Sequence, residues 1–385
     1  MRDAELPDPR VWPAASAAPP IASRLHAAAL SAIDAATRND AAVADAESIA
    51  IIERLVATED GLGLALALAT APSFAIARHL WRLVTEVEQR DAHCTTALRT
   101  TLAAIPVVFV AALDSRDGSV TLPGVLPEPA ALASLLRDAA EFGGAEAFAL
   151  APALAGSDAI DVATLPGHIH RMALAEQAGA AVAPVDIQPK PIVVDGGNER
   201  IHLRFIVAAV LTAPRTDPLR TSTLPVWGIG FAQALASQLQ TPGVSLLALP
   251  RPPQRLVIAV QAGRAVQREV SAQVFASNAI RKLRASVGEP TAIISAHRAA
   301  DAPNGGELRL SLSSAFAPRE AEGFRCPIYA YESVQDVAAM LTGLLRDCRV
   351  DDVRVRAGVN ADIDPITGAP LLFKETEAPS PSRLQ

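Results

Sequence analysis

One unit recurs along this chain: an apolar run of strand character, a capped amphipathic helix, then a second apolar run. It reads at Val107–Pro152, Phe205–Leu249 and Ile328–Ala357. A strand and a one-sided helix bury their apolar faces against each other, so the chain is constrained to sheets with helices packed on them. In the first copy, Val107–Leu113 is nearly continuous in apolar residues, as expected of a strand buried on both faces. Asp114–Pro127 is a polar, Gly/Pro-rich loop. Pro127-Glu128-Pro129 then opens a helix with proline and an acid in its first turn. Leu132, Leu135, Leu136, Ala139 and Phe142 form its apolar face, Gly143-Gly144 ends it, and Ala147–Ala151 is the next strand.

The second copy runs from a strand at Leu203–Leu211 through a helix over about 226–239, ended by Pro242-Gly243, to a returning strand at Val244–Leu249. In the third, Pro327–Tyr331 reads as the strand and Ser333 as an N-cap with Asp336 three residues on. Val337, Met340, Leu341, Leu344 and Leu345 make the buried helix face, and Val353 and Val355 alternate with Arg354 and Arg356 as on a half-exposed strand. Leu256–Val260 reads as a further strand, followed by a long helix from about Arg264 to Ser286.

A doubly wound parallel sheet needs strict alternation of strand and helix. Here strands follow one another directly at Ala292–Ser295 and Leu308–Leu312, and Asp195-Gly196-Gly197-Asn198 reads as a hairpin turn between Ile192–Val194 and Ile201–Leu211. The expectation is therefore α+β, with strand–helix–strand units on a mixed, largely antiparallel sheet and split β-α-β character; α/β is the alternative. Ile21–Thr100 lacks β-alternation and keeps helical spacing at Leu25, Ala29, Ile33 and Ala36, at Ile49, Ile52, Leu55 and Val56, and at Ile76, Leu80, Leu83, Val84 and Val87. The organisation expected is a flexible arm over 1–20, a helical module over 21–100, a first α/β unit with a helical extension over 101–190 that includes a helix at Ile169–Ala178, a repeated β-α-β domain over 191–374 and a disordered tail over 375–385. The proline-rich segment Pro184–Pro191 marks the middle boundary.

Half of the 385 residues are hydrophobic but only 4% are aromatic, so the core is aliphatic. The net charge of −7, with arginine as nearly all the positive charge, argues against nucleic-acid binding. Arg281-Lys282-Leu283-Arg284 reads as a helix C-terminus complementing its own dipole. Abundant Ala and Arg with scarce Lys point to a GC-rich bacterial source. Cys94, Cys326 and Cys348 have no disulfide or zinc spacing, which suggests a reducing cytoplasm. Residues 1–20 carry acids and prolines and no apolar core of a signal peptide. Gly61–Ala77 is uncharged but short and interrupted by Pro72, so a buried helix is expected there and not a membrane span.

Chemistry-bearing patterns are sparse. His168 and His170, as His-x-His, are the candidate metal ligands, with His202, His297, Asp158 or Asp161 as possible additional ligands. Asp195 and Asn198 are candidate ligand-binding residues at the turn. Gly228 and Gly230 fall between a strand and a helix, where an anion is held at a helix N-terminus. Asn360–Asp364 begins like a calcium loop, but Pro365 and Leu371 occupy the glycine and glutamate positions. No catalytic residue and no cofactor is identified, and Cys326 and Cys348 read as structural.

The segments Val107–Pro152, Ile201–Pro214 and Asp364–Phe373 resemble an uncharacterised proteobacterial family of unknown function, a resemblance that implies no activity. The function expected from the sequence is a cytoplasmic, non-enzymatic protein–protein interaction or assembly module, with a protein partner or a homo-oligomer and with neither nucleic acid nor membrane. The alternative is a small-molecule-binding protein or enzyme with a polar loop site near His168 and His170.

Overall fold

The structure is a computed structural model. It describes residues 20–90, 93–94, 99–114, 118–139, 145–165, 167, 187–195, 200–213, 219, 227–286, 288–298, 306–314 and 316–356. In chain order the elements are α1 (Pro20–Ile33), α2 (Arg38–Ala57), α3 (Gly61–Ala69), α4 (Phe74–Arg90), β1 (His93–Cys94), β2 (Arg99–Leu113), β3 (Ser119–Leu122) and α5 (Pro129–Arg137). Then come β4 (Ala145–Ala155), β5 (Ile192–Asp195), β6 (Arg200–Thr212), α6 (Trp227–Gln238), β7 (Val244–Pro250), α7 (Leu256–Ser286), β8 (Pro290–Arg298), β9 (Gly306–Ser314), β10 (Ala317–Ile328), α8 (Val334–Asp347) and β11 (Val353–Arg356). The class is α+β, with antiparallel and mixed sheets.

The chain forms two compact units. One comprises 45–65 and 83–267, the other 1–44, 66–82 and 268–385. In the first unit β6 lies between β4 and β2, β7 lies on the far side of β2, and every pairing is antiparallel. The strand order β4-β6-β2-β7, with α5 joining β2 to β4 and α6 joining β6 to β7, interleaves two strand–helix–strand units into one split β-α-β sheet. Both α5 and α6 cover one face: Leu132, Leu136, Phe231 and Leu235 pack with Ile105, Val107, Phe109, Ile206 and Ala208. The opposite face receives the first turns of α7, where Gly263 approaches Leu203, Pro106 and Phe205. Burial from two sides explains why β2 and β6 are almost uninterruptedly apolar. Strands on either side of Pro184–Pro191 belong to this one unit, and the two units part within α7.

In the second unit the sheet order is β10-β9-β8-β11, antiparallel except for the β8–β11 pair. Ala272, Ala276 and Leu283 of α7 and Val337, Leu341 and Leu345 of α8 pack on Ile294, Leu308, Leu310 and Leu312. Ser333 caps α8 as expected, its Oγ accepting from the Asp336 N–H at 3.3 Å. The helical character of the N-terminal region is present in α1 to α4. Asp60 caps α3 through the Gly63 N–H at 2.9 Å, and the helix stops before Pro72. Among the described residues no helix is long and apolar enough to cross a membrane.

Several expectations are corrected. Strand β2 begins at Arg99 and not at Val107, because the polar opening Arg99-Thr100-Thr101 and Pro106 conceal it. The segment Leu256–Val260 is the start of helix α7 and not a strand. Strand β10 ends where Pro327–Tyr331 was expected to begin one, since its polar outer face disguises it. Ile192–Val194 does not form a hairpin with β6: β5 pairs with β3, burying Leu122, Ile192 and Val194 in the main core. Leu135 and Ile33 are exposed, not buried. Residues 1–19 of the expected arm, the tail, the expected helix at 169–178 and Asn360–Asp364 lie outside the described residues, whereas Pro20 opens α1.

Candidate functional site

Polar side chains gather at the corner where β5 gives way to β6. Arg200, His202 and Arg204 alternate along β6 onto the face that carries β3 and β5, since residues two apart on a strand share a side. Arg204 is 8% exposed. Its Nε donates to Lys190 O at 2.7 Å, one Nη to Pro191 O at 2.6 Å and the other to Leu203 O at 2.8 Å. The guanidinium thereby pins the lead into β5. Burial lowers its pKa, and the carboxylate of Asp158 opposes that shift. Asp158 itself binds Lys190 Nζ at 3.1 Å, and Asp195 faces Arg200 at 3.9 Å. Backbone close to Lys190 and Pro191 requires Gly124, where a Cβ would lie 3.0 Å from both the Lys190 carbon and the Pro191 nitrogen.

His202 sits between the two arginines. Burial first, then Arg204 and Arg200, push it down to about 4, so it is neutral at physiological pH. Its Nε2 is buried and makes no hydrogen bond among the described residues. With Arg204 spent on main-chain carbonyls and Arg200 facing Asp195, the buried side-chain nitrogens of the corner that make no hydrogen bond among the described residues are His202 Nε2 and Arg200 Nε.

A serine–histidine contact occurs elsewhere, in the second unit: Ser295 Oγ lies 2.7 Å from His297 Nε2. Burial, then Arg309, lower His297 to about 4. A base that weak accepts a proton poorly at neutral pH, and Ser295 is 2% exposed, so the pair satisfies a buried hydroxyl and does not resemble an activated nucleophile. Cys326 is fully buried and its thiol is pushed up to about 12, by burial above all. It is structural, as expected.

A third feature is apolar. On the face of the first sheet opposite α5 and α6, Leu247, Val110 and Ile201 align across β7, β2 and β6, with Leu249, Val108 and Leu203 in the next row. Leu203 and Val108 are buried, whereas Val110, Ile201 and Leu249 are half-buried and Leu247 is 55% exposed. The apolar ladder thus runs beyond the part of the face that α7 reaches at Gly263.

Those expected site residues that the structure describes lie apart. Asp195 belongs to the polar corner. Gly228 and Gly230 lie in the first turn of α6, Gly228 buried and Gly230 exposed. The C-terminal end of α6 is the end near the corner strands: Gln238 binds the Glu128 main chain at 3.1 Å through both amide atoms, and β7 then starts opposite Leu113. The glycines are therefore at the other end of α6, and the helix does not bring them to Asp195. Asn198, His168 and His170 lie outside the described residues. Asp161 uses its carboxylate on the Ala163 N–H and the Thr164 hydroxyl, both at 2.9 Å. Among the described residues no group of three or more His, Cys, Asp or Glu could hold a metal ion. The sequence reading missed Arg200 and Arg204; the signal available was their spacing, two charges within an otherwise apolar strand. No family model matches the chain, nor does any curated protein or solved structure.

Proposed function

We propose that this chain is a protein–protein interaction or assembly module, acting in the cytoplasm, that docks through the open apolar face of its split β-α-β sheet. The observation that carries the reading is the row Leu247–Val110–Ile201, an apolar strip on three adjacent strands that stays accessible at Leu247. A rigid sheet face of this kind loses little conformational freedom on binding, and contiguous exposed apolar area marks association surfaces. The partner is a second copy or another protein.

The test is native mass spectrometry of the purified chain beside Leu247→Asp. Because Leu247 is exposed, the variant is expected to keep its stability to within about 0.5 kcal/mol. The wild type is expected to carry a second copy or a retained partner, and the variant to lose it. A wild-type chain that runs alone, or a variant that associates equally well, overturns the reading. A second reading, small-molecule binding, rests on the buried, unbonded Nε2 of His202 between two arginines; a stoichiometric small-molecule adduct in the same spectra, lost in His202→Gln, favours it.

A further inference from the structure

A groove lies between the last turns of α7 and the end of α8, in the helix layer of the second unit. Ser277, Ile280, Arg281, Arg284 and Ala285 line it from α7, and Cys348, the residue after α8, lines it from the other helix. The α7 residues recur every three or four positions, so they share one face of that helix. The volume is about 570 Å³, within the range of about 300–1,000 Å³ usual for small-molecule sites. Ile280 is buried at 4% exposure and Cys348 is half-buried. Charge enters through the two arginines. Arg281 donates to Asn278 Oδ1 at 2.9 Å, a neutral amide, and meets no carboxylate among the described residues. Arg284 donates through Nε to Glu289 at 3.2 Å and through one Nη to Arg349 O at 3.0 Å. The dipole of α7 accounts for Arg284 in its last turn, but that field fades beyond the turn and Arg281 lies farther in. Like charges three residues apart on a helix also repel. Two guanidinium groups against the one carboxylate of Glu289 leave a single positive charge over.

We infer that this groove binds a small amphipathic monocarboxylate, an aliphatic chain ending in one carboxylate, with the carboxylate on Arg281 and the chain over Ile280, Ala285 and Cys348. The single surplus charge matches a monoanion and not a phosphate dianion. A guanidinium presents paired N–H groups to the two oxygens of a carboxylate. Beyond the arginines the lining offers only the Ser277 hydroxyl and the weakly polar Cys348 thiol. That is too few groups to satisfy a sugar or a nucleoside, whose unpaired hydroxyls would lose their water for nothing. An aliphatic chain has no such requirement and gains from covering Ile280 and Ala285. The groove belongs to a different unit from the Leu247 row and from His202, and the inference rests on neither.

The test titrates decanoate, below its micelle concentration, into the full chain by calorimetry. In parallel, peptide mass spectrometry follows the rate at which iodoacetamide alkylates Cys348. Saturable binding is expected, and alkylation of Cys348 is expected to slow as binding saturates. Arg281 is exposed, so Arg281→Gln is expected to fold normally and to weaken decanoate binding by about tenfold. Decyltrimethylammonium, with the same chain and the opposite charge, is expected to leave Cys348 unprotected. Leu247→Asp is expected to bind decanoate as the wild type does, which separates this groove from the apolar sheet face. Absence of binding, unchanged affinity in Arg281→Gln, a Cys348 that decanoate does not protect, or equal protection by decyltrimethylammonium overturns the assignment.

Discussion

Arg204 illustrates how a single residue organises its surroundings. Its protons go to three main-chain carbonyls, which fixes a loop that apolar packing alone would leave undetermined. The resulting buried positive charge presses on His202, and Arg309 does the same to His297 in the other unit. Both histidines have folded-state pKa values near 4 against about 6.5 in the unfolded chain. Above pH 6.5 neither state binds the proton. As the pH falls from there the unfolded chain protonates first, so stability declines, and the decline levels off below about 4. Urea midpoints between pH 7 and pH 4, at roughly one-unit steps, are expected to fall for the wild type and to fall less for His202→Gln. Glycines make the complementary point about space. A Cβ at Gly263 would come within 2.9 Å of Leu203 and 3.0 Å of Pro106, whereas one at Gly343 meets nothing within 4 Å. Alanine at Gly343 is expected to stabilise α8 by about 0.5–1 kcal/mol. At Gly263 overpacking of about 1–3 kcal/mol outweighs the same propensity gain, so thermal melts are expected to move in opposite directions.

At the scale of elements, α7 and β2 were the two least legible from sequence, for related reasons. The first turn of α7 reads Leu-Val-Ile-Ala-Val, a pattern equally compatible with a strand. What makes it helix is Glu88, from the end of α4, whose buried carboxylate accepts from the Val257 N–H at 3.1–3.2 Å and so acts as a cap supplied from far along the chain. Arg255 reinforces the joint by donating to Glu88 O at 3.1 Å. Glu88→Ala is expected to cost about 1–2 kcal/mol in denaturant unfolding, with Glu88→Gln losing less because its amide oxygen still accepts. Equal loss in both variants would assign the effect to charge and not to capping. In β2, Pro106 sits inside a central strand, where a missing N–H normally breaks the ladder. Its N–H position points away from β6, toward the stretch where Arg251 N donates to Pro106 O and the ladder resumes only at Gln254 with Ala104. The intervening Pro252 and Pro253 have no N–H of their own, so no donor is stranded there. By contrast α5 and α8 were legible because their start signals are local in sequence, Pro129 as the first residue of α5 and Ser333 as the cap of α8.

For the whole molecule, strands and helices alternate as read at β6-α6-β7 and β10-α8-β11, whereas between β2 and α5 the expected loop Asp114–Pro127 contains the further strand β3. What the sequence did not carry is that the strand pairs β2, β4 and β6, β7 interleave, each contributing the strand that separates the other's pair, while β10 and β11 sit in a different sheet. Local pattern reports which residues avoid water; it does not report which apolar strand lies beside which. The same limit applies to the sites. Asp195 was visible as a turn residue, but the burial of Arg204, which turns its guanidinium onto the Lys190 and Pro191 carbonyls, depends on β6 pairing with the distant β2. The proposed docking row is likewise invisible locally: Leu247 and Ile201 look like core residues of strands, and only the folded sheet shows Leu247 left 55% exposed. By itself the sequence determined the α+β class, most helices, the Ser333 cap and most of the buried stripes, because periodicity and local capping are properties of neighbouring residues. The tertiary structure alone decided sheet order, the start of α7, the pairing of β5 and the composition of each exposed face, because those follow from contacts between segments whose separation in sequence no local pattern encodes.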